Sequence, residues 1–257
     1  MKKTVIKELK IVELNNPILI EGFPGLGMVG NIATQYLARQ LKAQKLATLY
    51  SPHFPYQVIV NKKGSARLLR GEFYFWKNKT GENDLIFLTG DSQAQTIEGQ
   101  FEVANSILDY AEKKKVKTVI TIGGYRNEVE DSPKIVAVST NPALLKKAVN
   151  AQAISSEAGI PIVGTAGLLL GLAKFRNVDA LCLLGETRGY LPDPKTAKSV
   201  IKTLQGIIDV TVDLTGLDKE IERSKEILDR MREIEKRRVK YVQKMRRVEE
   251  ERITYIS

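Results

Sequence analysis

Apolar and polar positions follow two alternating rhythms up to about Asp213, and a different one beyond it. Residues 5–11 alternate with period two and predict an edge strand. Pro17-Ile18-Leu19-Ile20-Glu21-Gly22 is a short apolar run and predicts the first core strand. A helix is predicted over residues 31–41, where Ile32, Tyr36, Leu37 and Leu41 share one face. Residues 45–50 and 57–60 read as strands on either side of Ser51-Pro52-His53-Phe54-Pro55, with residues 67–76 as a hairpin partner. Residues 84–91, 118–124 and 180–186 are buried-strand runs, and 135–138 and 161–164 shorter ones. Helices are predicted over residues 98–114, from Asn141-Pro142 onward, over 168–174 and over 194–210.

Buried strands alternating with helices predict an α/β fold, a three-layer sandwich with a mostly parallel sheet, for a core domain over residues 1–213. From residue 217 to 252 the chain turns strongly charged and is free of Gly and Pro. There Ile227, Ile234, Tyr241 and Val248 recur every seventh residue, with Met231 and Met245 on the interleaved series that Arg238 and Arg252 complete. That seam predicts a long C-terminal helix over 214–252, self-associating as a coiled coil or laid along a partner, with the arginines opposing a tight dimer. Residues 253–257, Ile-Thr-Tyr-Ile-Ser, form an apolar tail on this polar stem.

Composition narrows the setting. No stretch approaches the roughly 18 uninterrupted apolar residues of a membrane span, and Met1 to Glu8 lacks the apolar run of a secretory signal, so a cytoplasmic location is expected. Cys182, the single cysteine, lies in Ala180-Leu181-Cys182-Leu183-Leu184 and reads as a buried strand thiol. Abundant Lys and Glu with a single His fit a thermophile. The formal net charge is +10, which invites a nucleic-acid partner, but the densest basic run, residues 236–247, falls inside the stalk. A solvated helix carries such charge by default.

Candidate chemistry gathers at strand ends, where open α/β sheets form their sites. Gly25-Leu26-Gly27-Met28-Val29-Gly30 matches G-x-G-x-x-G between a strand and a helix, the pattern that brings a pyrophosphate onto backbone amides. The acid expected about 20 residues on is missing. Close packing of helix on strand is the competing explanation of these glycines. Gly124 and Arg126 follow a second strand, and Glu186, Arg188 and Asp193 a third. Gly25, Gly27, Gly30, Gly124, Arg126, Glu186 and Arg188 are therefore candidate ligand contacts, with loop-stabilising ion pairs as the alternative for the charged ones. Asp91 after Gly90 is in the same position. His53 is the single histidine, no G-x-S-x-G elbow occurs, and one His with one Cys gives no zinc set, so no catalytic group, metal or cofactor is expected.

Four segments together resemble the archaeal branch of the proteasome assembly chaperone family. They are Gly22-Phe23-Pro24-Gly25-Leu26-Gly27-Met28-Val29-Gly30-Asn31-Ile32-Ala33, Thr121-Ile122-Gly123-Gly124-Tyr125, Gly164-Thr165-Ala166-Gly167-Leu168-Leu169-Leu170-Gly171-Leu172-Ala173 and Gly185-Glu186-Thr187-Arg188-Gly189-Tyr190 with Pro192-Asp193-Pro194. The resemblance covers roughly residues 10–210. It implies a phosphorylase-like core, no established catalysis, and a homo-oligomeric factor, a tetramer for instance, that meets the α subunits of the 20S proteasome. Proteasome activators are similar to one another in ending on a hydrophobic residue, a tyrosine and one further residue. Here Tyr255 is third from the end, and Ile256 takes the usual tyrosine slot. Ile253, Tyr255, Ile256 and Ser257, with Arg246 and Arg247 to steer the stalk toward an acidic surface, are the expected partner contacts. A phosphorylase-like or nucleotide-binding enzyme working through the glycine-rich loops is the alternative.

Overall fold

The computed structural model describes residues 1–81, 83–127, 132–227, 229 and 230. The chain runs through β1 (Val5–Glu8), β2 (Ile18–Glu21), α1 (Val29–Gln40), β3 (Gln44–Tyr50), β4 (Val58–Val60), β5 (Ala66–Leu68), β6 (Gly71–Trp76), β7 (Leu85–Gly90) and α2 (Ile97–Lys113). It continues through β8 (Thr118–Arg126), β9 (Ile135–Ser139), α3 (Pro142–Asn150), β10 (Ile154–Ser155), α4 (Thr165–Ala173), β11 (Asp179–Thr187) and α5 (Pro194–Ile208). The helix starts are chemically specified. Thr96 accepts from Gly99 N at α2, Asn141 from Ala143 N and Leu144 N at α3, and Asp193 from Thr196 N at α5.

Nine strands form one sheet in the order β1-β3-β6-β7-β2-β8-β11-β9-β10. The sheet is mixed, which corrects the expectation of a mostly parallel one. β2 is parallel to both β7 and β8, and β8 to β11, so the centre is parallel. The flank β1-β3-β6-β7 is antiparallel throughout, and β9 runs against β11. Two of these reversals follow from connection length. A parallel return needs a crossover of about a dozen residues or more, whereas residues 77–84 and 127–134 give β6 to β7 and β8 to β9 only short links.

Both faces of the sheet are covered. Leu19, Ile86, Leu88, Val119 and Cys182 join one buried cluster with Val103, Ile107 and Leu108 of α2 and Leu169 and Ala173 of α4. The alternate strand residues Ile20, Phe87, Ile120, Leu181 and Leu183 are equally buried but lie outside that cluster. Period-two alternation sends them to the other face, where α1 and α5 pack together and α5 meets α3. Helix, sheet and helix thus form three layers. Burial on both faces explains why the central strands read as continuous apolar runs.

Two further elements depart from the sequence reading. Residues 67–76 divide between β5, which pairs with β4 in a separate two-stranded ribbon, and β6. Asp91 sets the corner by accepting from Arg70 N at 2.9 Å and from both terminal nitrogens of Arg67. Residues 161–164, expected as a strand, are not one; β10 forms earlier, beside β9. Among the described residues no helix is long and apolar enough to cross a membrane.

The chain divides into two compact units, Met1–Leu214 and Thr215–Ser257. In the second, residues 215–227 are helical, and Lys225 Nζ lies 3.3 Å from Glu222 Oε2 on neighbouring turns. The seam positions from Met231 onward lie outside the described residues.

Glycine positions separate two physical cases. A Cβ on Gly30 would stand 2.2 Å from Ile122 O, whereas one on Gly171, in the exposed middle of α4, would meet nothing within 4 Å. Gly30→Ala should therefore cost more than about 3 kcal/mol or prevent folding. Gly171→Ala should stabilise by roughly 0.5–1 kcal/mol through helix propensity. Denaturant unfolding of the two variants checks both signs.

Candidate functional site

The loop that follows β2 joins it to α1 through residues 22–28. Gly27 and Met28 both sit in the left-handed region, at φ 59° and 53°. Only glycine visits that region at no cost, so the single non-glycine residue here is held by its surroundings. A Cβ on Gly22 would fall 2.1 Å from Gly30 O, and one on Gly124 would fall 2.4 Å from Leu26 O. The turn thus lies directly on the backbone of β8 and on the first turn of α1. Asp193 N donates to Gly27 O at 2.8 Å, and Asn31 Nδ2 donates to Thr89 Oγ1 and Gly90 O, tying α1 across to β7.

Beside this turn, at the carboxyl ends of β2 and β8, a cavity of about 680 Å³ opens. Its walls are mainly apolar: Phe23, Leu26, Ile122, Val136, Ile162 and Leu184 contribute, with Gly25 and Gly30 from the turn. Gln93 and Gln100 enter from the other helical layer and are fully engaged. Gln93 Nε2 donates to Pro24 O at 2.8 Å, its Oε1 accepts from Thr165 N at 3.0 Å, and Thr165 Oγ1 bonds Gln100 Oε1 at 3.0 Å. This chain of bonds clamps the glycine turn to the start of α4.

Glu21, the last residue of β2, forms part of the cavity wall and is 1% exposed. Its Oε1 accepts from Phe23 N at 3.0 Å, and among the described residues its Oε2 has no hydrogen-bond partner. Burial pushes the carboxyl up to about 8, with the Phe23 amide opposing only in part. Cys182, close to it beneath α4, is raised to about 12 by the same burial, so its thiol stays protonated and inert at neutral pH. In the sequence, Glu21 is the one charged residue of the run Pro17 to Gly22, and that is its one signal. Gln93 and Gln100 carried none.

The sequence candidates divide between the cavity and the scaffold around it. Gly25, Gly30, Gly124 and Arg126 line the cavity; Gly27, Glu186 and Arg188 do not. Arg126 places its guanidinium 4.5 Å from the centre of the Tyr190 ring, a cation–π contact. Glu186 is 2% exposed and accepts from Asn127 Nδ2 at 2.6 Å and Lys134 N at 3.1 Å, so it fastens the link between β8 and β9. Arg188 is exposed. Asp193 accepts from Thr187 Oγ1 and Thr196 Oγ1 besides capping α5, and Asp91 is held by Arg67, whose guanidinium keeps it below the usual carboxylate range. His53 Nε2 lies 3.2 Å from Glu102 Oε2 on α2. Arg246, Arg247, Ile253, Tyr255, Ile256 and Ser257 lie outside the described residues.

A mixed sheet of this order, with a glycine turn packed on its centre, defines an α/β class that known proteins share. The chain belongs to the PAC2 family, which matches residues 19–232. It is 39% identical to Pyrococcus furiosus PbaB, described as an archaeal proteasome activator, with a TM-score of 0.87 over 90% of this chain and 100% of that one. It is 28% identical to Pyrococcus furiosus PbaA, described as an archaeal homolog of proteasome-assembly chaperone, with a TM-score of 0.75 over 95% of this chain and 98% of that one. An uncharacterized protein of Methanocaldococcus jannaschii is 30% identical over 95% of this chain and 94% of its own length.

The raised carboxyl has a consequence with a definite sign. Between the ordinary value of 4.5 and about 8, the folded chain keeps a proton that the unfolded chain has released. Stability therefore falls as pH rises through that window and levels off above it, by about 1.4 kcal/mol for each unit of upward shift. Glu21→Gln removes the titration, so its stability advantage over the wild type should grow from pH 5 to pH 8. Parallel pH profiles in urea unfolding would show that Glu21 is not a buried acid.

Proposed function

We propose that this protein is a non-enzymatic proteasome assembly chaperone or activator in the cytoplasm. The observation that carries the reading is the likeness to PbaB, which extends over the whole of that chain at 39% identity. The α/β body, with its phosphorylase-like layering, gathers copies of itself into a homo-oligomer. The C-terminal stalk and the segment 253–257 then dock on the α subunits of the 20S proteasome. Tyr255 or Ile256 enters a pocket between α subunits, Ile253 adds apolar contact, and Arg246 and Arg247 speed the encounter with an acidic surface. A single short tail binds modestly, and several tails on one oligomer multiply that grip through effective concentration.

Two features of the sequence support the placing of the contact. The body ends at Leu214 as a compact unit, and the seven-residue seam runs from Ile227 to Arg252 beyond it. The apolar tail follows the most basic stretch of the molecule, so charge and anchor lie close together along the chain.

Removal of Tyr255, Ile256 and Ser257 is expected to abolish co-purification with proteasome α-rings while leaving the size in solution unchanged. Tagged full-length and shortened chains, mixed with α-rings and compared by pull-down and light scattering, test this. Undiminished capture by the shortened chain would remove the tail from the account.

A further inference from the structure

The ribbon of β4 and β5 turns the usual pattern of a surface hairpin inside out. Residues paired directly across an antiparallel ribbon share a face, and successive residues alternate between faces. The register Val58↔Leu68, Ile59↔Arg67 and Val60↔Ala66 therefore divides the ribbon into two faces. Ile59 and Arg67 form the inner one: Ile59 packs against the buried cluster, and Arg67 Nη2 donates to Asp91 Oδ1 at 2.9 Å. Val58, Val60, Ala66 and Leu68 form the outer one, and all four are exposed, Val60 at 61% and Leu68 at 55%. The charged side chain is thus turned to the body and the aliphatic ones to water. Tyr56, two residues ahead of β4, is fully exposed. The turn holds this register in place: Asn61 Oδ1 accepts from Lys63 N and Ser65 N, and Gly64 N donates to Asn61 O at 3.0 Å. A two-stranded ribbon is marginal in water unless a further layer covers its apolar face.

We infer that this outer face is where two copies of the chain meet, each ribbon laid on the other about a two-fold axis; this rests on the homo-oligomeric body proposed above and adds the surface that joins it. Area supports a second copy as the occupant. Tyr56, Val58, Val60, Ala66 and Leu68 present on the order of 600 Å² to water. Specific two-chain interfaces begin at about 600 Å² per partner. Charge sets the direction. With the two ribbons parallel, the exposed tip residues Lys62 and Lys63 would stack on their own copies as like charges. With them antiparallel, the axis passes the middle rung, Ile59 with Arg67, and residues equally far on either side of it face each other. Val58 then lies over Val60 of the second copy, and Leu68 over its Ala66, large against small. Lys62 comes to Tyr56 of the second copy, whose open ring accepts a cation on its face. Strands of three residues offer too few backbone groups to hold an added peptide strand, so the face and not the edge makes the contact.

The antiparallel axis permits a charge swap in the full-length protein. Val58→Lys and Val60→Glu each set a charge against an aliphatic side chain of the other copy, twice in every pair. Each variant alone should therefore show half the wild-type particle mass or less in sedimentation velocity. In an equimolar mixture the introduced lysine and glutamate face each other, and the wild-type mass should return. Tyr56→Ala removes only an exposed ring and should weaken association at least tenfold, which decides the matter should a charged variant fail to fold. Wild-type mass in each charged variant alone, no recovery on mixing two variants that unfold cooperatively in urea, or unchanged association of Tyr56→Ala would overturn the inference and leave the homo-oligomeric reading standing. If the variants keep the wild-type mass but lose retention on anionic vesicles, the face belongs to a membrane instead. A wild type that stays a single chain at every concentration would remove the homo-oligomeric reading itself, and this contact with it.

Discussion

Contact between bare backbones at the end of β2 is the constraint on which the remaining architecture depends. The first turn of α1 lies directly on Ile122 O of β8, and Gly22 faces Gly30 with no room for a methyl group between them. Because the helix starts so close to the sheet, Asn31 reaches Thr89 and Gly90, and Gly27 O is available to Asp193 N. Those bonds join β2, β7, α1 and the start of α5. The same closeness pushes Phe23, Pro24 and Gly25 outward, and they become one wall of the cavity. A pattern that in other proteins brings backbone amides to a pyrophosphate here brings backbone to backbone.

Much of this was legible in the order of residues. The buried runs became β2, β7, β8 and β11, because a sheet covered on both faces demands apolar residues at successive positions. The helix start at Asn141-Pro142 was equally readable, whereas Thr96 and Asp193 cap α2 and α5 without having been read as caps. Strand direction was not. Whether a strand returns parallel or antiparallel depends on the length and path of its connection, and the turn residues Asn78, Gly81, Asn83 and Pro133 in the links at 77–84 and 127–134 mark a turn without fixing that path. The segment 161–164, expected as a strand, forms part of the cavity wall instead.

The site was less legible than the fold. Glycines and charged residues at strand ends attract attention, yet Glu186, Asp193 and Asp91 hold loops through specific hydrogen bonds. What distinguishes Glu21 is burial without a full set of partners, a property of three-dimensional packing. One carboxylate in an apolar run hints at it, but the absent partner is visible only when the neighbours of each oxygen are known.

Body and tail divide the work in this account: the glycine-pinned sandwich gathers copies, and the charged stem delivers them to a proteasome. Electron microscopy of the full-length protein mixed with archaeal 20S particles tests that division most directly. The account predicts extra density on the outer face of the α-ring, joined to the ring by the C-terminal segment, with the α/β bodies held away from it. Bodies seated directly on the ring, or particles that remain bare at saturating protein, would contradict it.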